Sequence, residues 1–454
     1  NIYMTKKMLK YNSIDPTTDD NSAIRWASYN GHVEIVSLLL KDDRTDPAAL
    51  DNYAIGWASQ NGNTGVVSLL LKDGRANPAA DNNYAILWAS YNGHVDVVSL
   101  LLKDGRADPT ADNNYAIRVA SEKGFLDIVT LLMKYGRVDQ TADHNNAIRF
   151  ASKNGHAKVV SFLLKDSRVD PADDNDYAIG MASRNGHMDV VSLLLKDDRV
   201  DPAAVDNYAI GWASKSGHVG VVALLLKDSR VDPAADDNFA IREASRDGHG
   251  GVVALLLKDS RVDPAALYNY AIGWASRSGH VGVVALLLKD DRVDPAAYNN
   301  YAIRFASQNG HVDVVDLLLK GGRADPAAQD SYAVRMASSN GHADAVSLLL
   351  KDGRADPTAD NNYAIRYASI CRHTAIVSLL LKDGRADPTA NDNYAICEAS
   401  WYGHTGVVKL LLKDGRADPV ADDNWAIRHA SHNGHADVVD LLLKDGRADP
   451  TAND

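Results

Sequence analysis

The chain is 454 residues long, 45% hydrophobic and 24% charged, with a formal net charge of −12. Such an acidic balance argues against phosphate binding driven by counterion release, and so against a nucleic-acid partner. No 18-residue apolar run spans a membrane, and only two cysteines, Cys371 and Cys397, exclude a disulfide scaffold and favour a reducing compartment.

An ordinary domain parse is overridden by an internal period. All fourteen prolines occupy one register of a 31-residue repeat, from Pro16, Pro47 and Pro78 to Pro450, with Gln140 the single exception. The sequence divides into a lead of residues 1–20 and fourteen tandem units covering 21–454 without insertion or deletion. The lead opens on Asn1 with no signal-peptide pattern. Its first residues align with the second half of a unit, but Thr5 and Lys7 stand where apolar residues are usual, as an N-terminal cap requires.

Within a unit such as 83–113, Tyr84, Ala85, Ile86, Trp88 and Ala89 suit a first helix of two to three turns, with Asn83 as its N-cap. Gly93 ends it at a position that needs positive φ, a register filled by glycine in thirteen of fourteen units. The second half, Val95, Val97, Val98, Leu100, Leu101 and Leu102, is apolar around most of its circumference and reads as a buried helix stopped at Asp104-Gly105. Arg106 to Asn113 reads as a projecting turn. Ala-Ser recurs in every unit, from Ala27-Ser28 to Ala430-Ser431, and would let neighbouring helices approach closely. So short a helical pair buries its apolar faces only by stacking on its neighbours.

The N-G-H-x-x-V-V-x-L-L-L segment, preceded by Ala-Ser, resembles the ankyrin repeat along essentially the whole chain. The resemblance implies an all-α solenoid of helix-turn-helix units that binds a protein partner. Two departures stand out: T-P-L-H is here Y-A-I-R or Y-A-I-G, and the unit is two residues short of the usual 33. The deletion falls in the loop, which predicts an abbreviated β-turn finger. Units shortened in this way resemble the ankyrin arrays of large DNA viruses and amoebae, so a cytoplasmic or virus-associated location is expected.

Little else carries chemistry. Twelve of fifteen histidines share the N-G-H register, one per layer, too far apart to share a metal; they read as bonding the inter-helix turn. Arg44, Arg75, Arg106 and their equivalents, paired in sequence with Asp46 and its copies (Asn77 once), read as a ladder tying loops across units, in preference to a phosphate site. No nucleophile stands beside a base, and no phosphate loop or H-E-x-x-H occurs, so no enzymatic activity, cofactor or metal is expected.

Function must then lie where the copies differ. The register two residues after Ile is aromatic in many units, including Trp26, Trp57, Trp88, Trp212, Trp274 and Phe305, and the ankyrin resemblance implies that it lines the concave groove. It reads either as a stripe of partner anchors or as packing between units; Glu243 and Glu398 in the same register favour exposure. At the loop tips Leu50, Val205, Leu267, Tyr268 and Tyr298 put apolar groups where solvent is expected. Val205, Leu267, Tyr268 and Tyr298, together with Trp212, Trp274 and Phe305, predict a binding surface over 205–305. Residues 370–402 form a second candidate, because Arg372 replaces the turn glycine and Cys397, Glu398, Trp401 and Tyr402 follow. A Cys371–Cys397 disulfide is conceivable. The last unit keeps Val438, Val439, Leu441, Leu442 and Leu443 apolar, so further sequence, a partner or another subunit is expected to cover it. The preferred reading is a protein-binding scaffold. A self-assembling filament or particle component, and an adaptor with an effector module beyond residue 454, stay open.

Overall fold

The computed structural model describes residues 15–135 and 137–448; Thr5, Lys7 and most of the 1–20 lead lie outside them. Among the described residues there are 28 helices and no strand. The chain divides into two compact units, Asn1–Ala213 with Gly220–Asp232, and Ser214–Val219 with Pro233–Asp454. Within each, a first helix packs on the second helix of its own repeat and on the first helix of the next, while second helices stack on second helices. Each is therefore an all-α stack of helical pairs, as the resemblance implied.

The repeat explains the packing residue by residue. In the third repeat, Ala80–Asn92 and Val95–Asp104 form the pair. Ala85, Ile86, Ala89, Val97, Val98 and Leu101 are buried, and their equivalents recur through both stacks. The turn residue Gly93 takes φ 81°, and a Cβ there would come within 2.9 Å of the Phe125 ring. Elsewhere the neighbour is a histidine: at Gly124 a Cβ would lie 2.5 Å from the His156 ring. Conformation and close approach both select glycine. The second stop signal also sets helix length. Thr64–Asp73 and Val95–Asp104 run ten residues to a left-handed glycine, whereas Val190's helix Met188–Leu194, followed by Asp198 where those repeats have glycine, runs seven.

The loops differ from expectation. Instead of a β-finger, each repeat makes a single left-handed turn of three residues, such as Asp81, Asn82 and Asn83 at φ 47°, 51° and 66°. Asp and Asn tolerate this region better than other side chains, which accounts for the Asp-Asn runs. Asn83 is consequently not an N-cap. Its Oδ1 accepts the N–H of Asp108, 25 residues on, at 2.7 Å, tying the left-handed turn to the loop that leads into the next helical pair.

The arginine ladder is also built otherwise. Arg75 Nε and Nη2 donate to both carboxylate oxygens of Asp73, two residues earlier, at 2.8 and 3.0 Å, and Nη1 donates to Thr45 O of the preceding repeat at 2.7 Å. The acidic residue expected as partner caps the proline turn instead: Asp46 Oδ1 accepts the Ala48 N–H at 2.8 Å. The cross-layer tie is thus arginine to carbonyl, a geometry that the planar guanidinium serves while staying bidentate to its own aspartate. Arginine hydrogen bonding holds the Asp73, Asp104, Asp352 and Asp383 carboxyls below the usual carboxylate range. The histidines bond the turn of the preceding repeat, as in His94 Nε2 to Gln60 O at 2.9 Å, which makes Nε2 the protonated nitrogen.

Candidate partner-binding surface

The aromatic register is neither sealed nor free. Trp26 is 53% exposed, whereas Trp57, Trp88, Trp212, Trp274 and Phe305 are half-buried. Each ring leans on aromatic groups of its own or the adjoining repeat: Trp26 lies 5.7 Å from Trp57, Trp57 4.9 Å from Tyr53, and Trp88 5.6 Å from Tyr84 between ring centroids. Glu243 corrects the inference of exposure. It is only 5% exposed, and its carboxylate is accepted because Arg246 Nη2 stands at 2.7 Å and Lys215 Nζ at 3.2 Å.

The apolar loop tips do face solvent. Val205 is 58% exposed, Tyr268 79% and Tyr298 65%, with Leu50 and Leu267 also exposed. All five lie in the left-handed turn, Val205 at φ 52° and Tyr268 at φ 56°. A β-branched or bulky residue there costs roughly 1–2 kcal/mol, and no burial offsets it.

In the second compact unit these tips join the first helices through touching rings. Tyr268 and Tyr298 are 6.4 Å apart, Tyr298 and Tyr301 5.9 Å, Trp274 and Tyr301 6.2 Å, and Tyr301 and Phe305 4.2 Å. Leu267, Tyr268, Trp274, Tyr298 and Phe305 are therefore one surface. Val205 and Trp212 belong to the first compact unit, where Trp212 stacks on Tyr208 at 5.4 Å and carries Arg184 over its ring at 4.5 Å. Trp26 and Trp57 form a separate cluster with Tyr29 and Tyr53.

The residue immediately after the conserved-register Ile decides what lies between successive left-handed turns. Eight repeats carry arginine there, and four carry Gly56, Gly180, Gly211 and Gly273, with Leu87 and Cys397 in the other two. Arg25 donates from Nε to Asp20 O at 3.0 Å and from Nη2 to Asp19 O at 2.8 Å, closing the turn with its own guanidinium. Arg242 and Arg335 repeat this on Asp237 and Asp330, and their guanidinium carbons lie 5.3 Å over Tyr270 and 5.5 Å over Tyr363 of the next repeat. At three of these glycines a groove opens: about 130 Å³ at Gly56, 250 Å³ at Gly180 and 520 Å³ at Gly273. The Gly273 groove is walled by Leu267, Tyr268, Trp274, Tyr298 and Tyr301 and reaches Asp294.

The second candidate region is polar by comparison. Arg372 keeps the turn and accepts φ 61°. Cys371 is exposed and Cys397 buried, both as free thiols, and burial pushes the Cys397 thiol up to about 12. A groove of about 590 Å³ runs past Cys397, Glu398, Asp392 and Asp422 to Trp425. Trp401 stacks on Trp425 and His429 beside it, and burial raises the Glu398 carboxyl.

Models of ankyrin repeats in blocks of three match residues 24–113, 86–175, 151–237, 240–330 and 304–392, and single ankyrin repeats match 391–424 and 422–454. The chain belongs to the ankyrin-repeat family. No individual curated protein matches it. Ankyrin repeats are generally protein–protein interaction modules, which sets the class of partner. Among the described residues no group of three or more His, Cys, Asp or Glu side chains is placed to hold a metal ion, and no helix is long and apolar enough to cross a membrane.

Sequence reasoning found the exposed tips but missed the arginine–glycine register and the tyrosines of the Asn-Tyr-Ala-Ile segment. The signal was present: Y-A-I-R alternates with Y-A-I-G along the chain. Its meaning needed the left-handed turn, whose carbonyls the arginine serves.

Proposed function

We propose that this chain is a non-enzymatic scaffold that captures a protein partner on the aromatic surface of residues 267–305. The observation that carries this reading is the placement of Leu267, Tyr268 and Tyr298. Each holds a costly left-handed backbone conformation while remaining exposed, where other repeats use Asp or Asn without strain. Rings with few rotatable bonds and both apolar and hydrogen-bonding surface suit interface anchors. Trp26, Trp57 and Trp88, and Val205 with Trp212, supply further anchors for an extended partner. With this reading go the division of 21–454 into fourteen tandem repeats after a half-repeat at 1–20, and a reducing cytoplasmic or virus-associated setting.

The test replaces Trp212, Trp274 and Tyr298 with alanine and measures capture of cellular proteins by the full chain. Capture should fall by at least about tenfold, the loss of one or two anchor residues, with helical content and denaturation midpoint unchanged. Undiminished capture by the folded variant retires the surface. Light scattering of the purified chain separates this from self-assembly: regular polymers at micromolar concentration would favour a structural role.

A further inference from the structure

We infer that the groove at Gly273 is a receptor for an arginine side chain contributed by the partner. This deepens the proposed function and rests on residues 267–305 being a partner-binding surface.

The argument starts from how this protein uses arginine itself. In the repeats of Arg242, Arg335 and Arg366, the arginine after the buried Ile or Val lies between its own left-handed turn and the next repeat's tyrosine. Its Nε and Nη2 donate to two successive turn carbonyls, as Arg242 does to Asp237 O and Asp236 O at 2.8 and 2.9 Å. Its face covers the tyrosine ring. Two carbonyls and a π-face together match the planar, forked donor set of a guanidinium and suit an ammonium poorly.

The Gly273 repeat keeps that turn without a guanidinium on its carbonyls; Arg277 borders the groove, lying over Trp274 at 4.7 Å and donating to the Tyr301 hydroxyl at 2.8 Å. The equivalent turn carbonyls belong to Tyr268 and Leu267, in a turn of the same left-handed geometry. The equivalent ring is Tyr301, whose Cδ1 lies 3.2 Å from where a Cβ on residue 273 would be. Arg335 also pairs with Asp360 Oδ2 at 2.6 Å; the matching position here is Tyr298, so a second ring replaces that charge. Asp294, whose Oδ1 accepts the Ala296 N–H at 2.9 Å, also lines the groove. A net charge of −12 favours approach of a basic segment. The groove's volume of about 520 Å³, the largest of the three at glycine positions, admits the side chain with its flanking backbone.

The experiment labels the full chain with 5-fluorotryptophan, which gives seven fluorine reporters, and assigns Trp274 through its loss in Trp274→Phe. The probe is the peptide acetyl-Gly-Arg-Gly-amide. The Trp274 resonance should shift saturably, and the lysine counterpart should bind at least about tenfold more weakly, the order of one lost charge-assisted contact. Gly273→Arg should fill the groove from within and weaken the arginine peptide by at least about tenfold, whereas Gly273→Ala should stay within about threefold of the parent. If Gly273→Arg proves misfolded, the double variant Tyr268→Ala/Tyr298→Ala must weaken the peptide instead. No Trp274 response, an equal response to lysine, or an unchanged response in the filled variant overturns the inference. Because the peptide reads the groove without a partner, that failure leaves aromatic capture standing. Failure of the surface itself would show in the alanine capture test.

Discussion

The turns at Gly273 and Arg335 lie two repeats apart on one backbone plan and differ at the register after the buried aliphatic residue and at their tips, Leu267-Tyr268 against Gln329-Asp330. Both have the three-residue left-handed turn, a buried aliphatic residue before the deciding one (Ile272 and Val334) and a tyrosine from the next repeat. At Arg335 the guanidinium donates to Asp330 O at 2.8 Å and Gln329 O at 3.2 Å, joins Asp360, and leaves its side chain 14% exposed. At Gly273 the same space is open and lined with rings. The difference teaches that this array carries a self-capping device in its consensus, and that a groove is found where glycine replaces the arginine, the space to which the proposed recognition is assigned.

The comparison can be broken most forcefully at the frame that both turns share. Ile272 and Val334, which precede Gly273 and Arg335, are both buried, so Ile272→Ala should cost about 2–5 kcal/mol by denaturant unfolding, and Val334→Ala a similar loss per methyl group removed. Unequal losses per group well outside that spread would mean that the two repeats are not equivalent scaffolds. Next in size, Arg335→Ala should destabilise by about 1–2 kcal/mol, since charged hydrogen bonds to two carbonyls and an ion pair to Asp360 are lost together. The same change at residue 273 has no such bonds to lose. Arg372→Gly sharpens the argument in the opposite direction. It relieves a φ of 61° and should stabilise by about 1 kcal/mol; a loss would show that the arginine is bound to something that compensates.

The smallest effect concerns pH. The Asp259, Asp290, Asp352 and Asp383 carboxyls are depressed by hydrogen bonds from the arginines two residues on. The folded state therefore takes up these protons less readily than the unfolded chain. Their contribution is complete above the ordinary carboxylate value near pH 4 and fades as pH falls through the depressed folded values. Because the pairs are surface-exposed, each adds at most about 1 kcal/mol. Asp352→Asn should flatten the acid limb of the melting curve slightly, and an unchanged limb would assign acid sensitivity elsewhere.

Much of the fold was legible in the sequence because a 31-residue period repeats the same stop signals and apolar registers. Gly93 and Gly105 end helices where their spacing says they should. The loop was not legible in the same way. An Asp-Asn run marks a turn, but composition does not announce the three successive left-handed residues or the bond from the Asp108 N–H to Asn83 that accompanies them. For the same reason the arginine's partner was misplaced: sequence neighbours two residues before and two after look alike, and the bidentate geometry chooses Asp73 over Asn77 for Arg75. Glu243 misled because its cations come from Lys215 in another repeat and from Arg246 one turn on. The exposed tips were readable, since Leu267, Tyr268 and Tyr298 break a polar pattern. The groove behind them was not, because a glycine announces no cavity until its neighbours' arginines are seen filling theirs.

The most direct test of the central claim is a crystal structure of Gly273→Arg. The account predicts that the new guanidinium lies against Tyr301 with donors on the carbonyls of Leu267 and Tyr268, and that the groove is closed as at Arg335. An arginine pointing into solvent beside an open groove would contradict it.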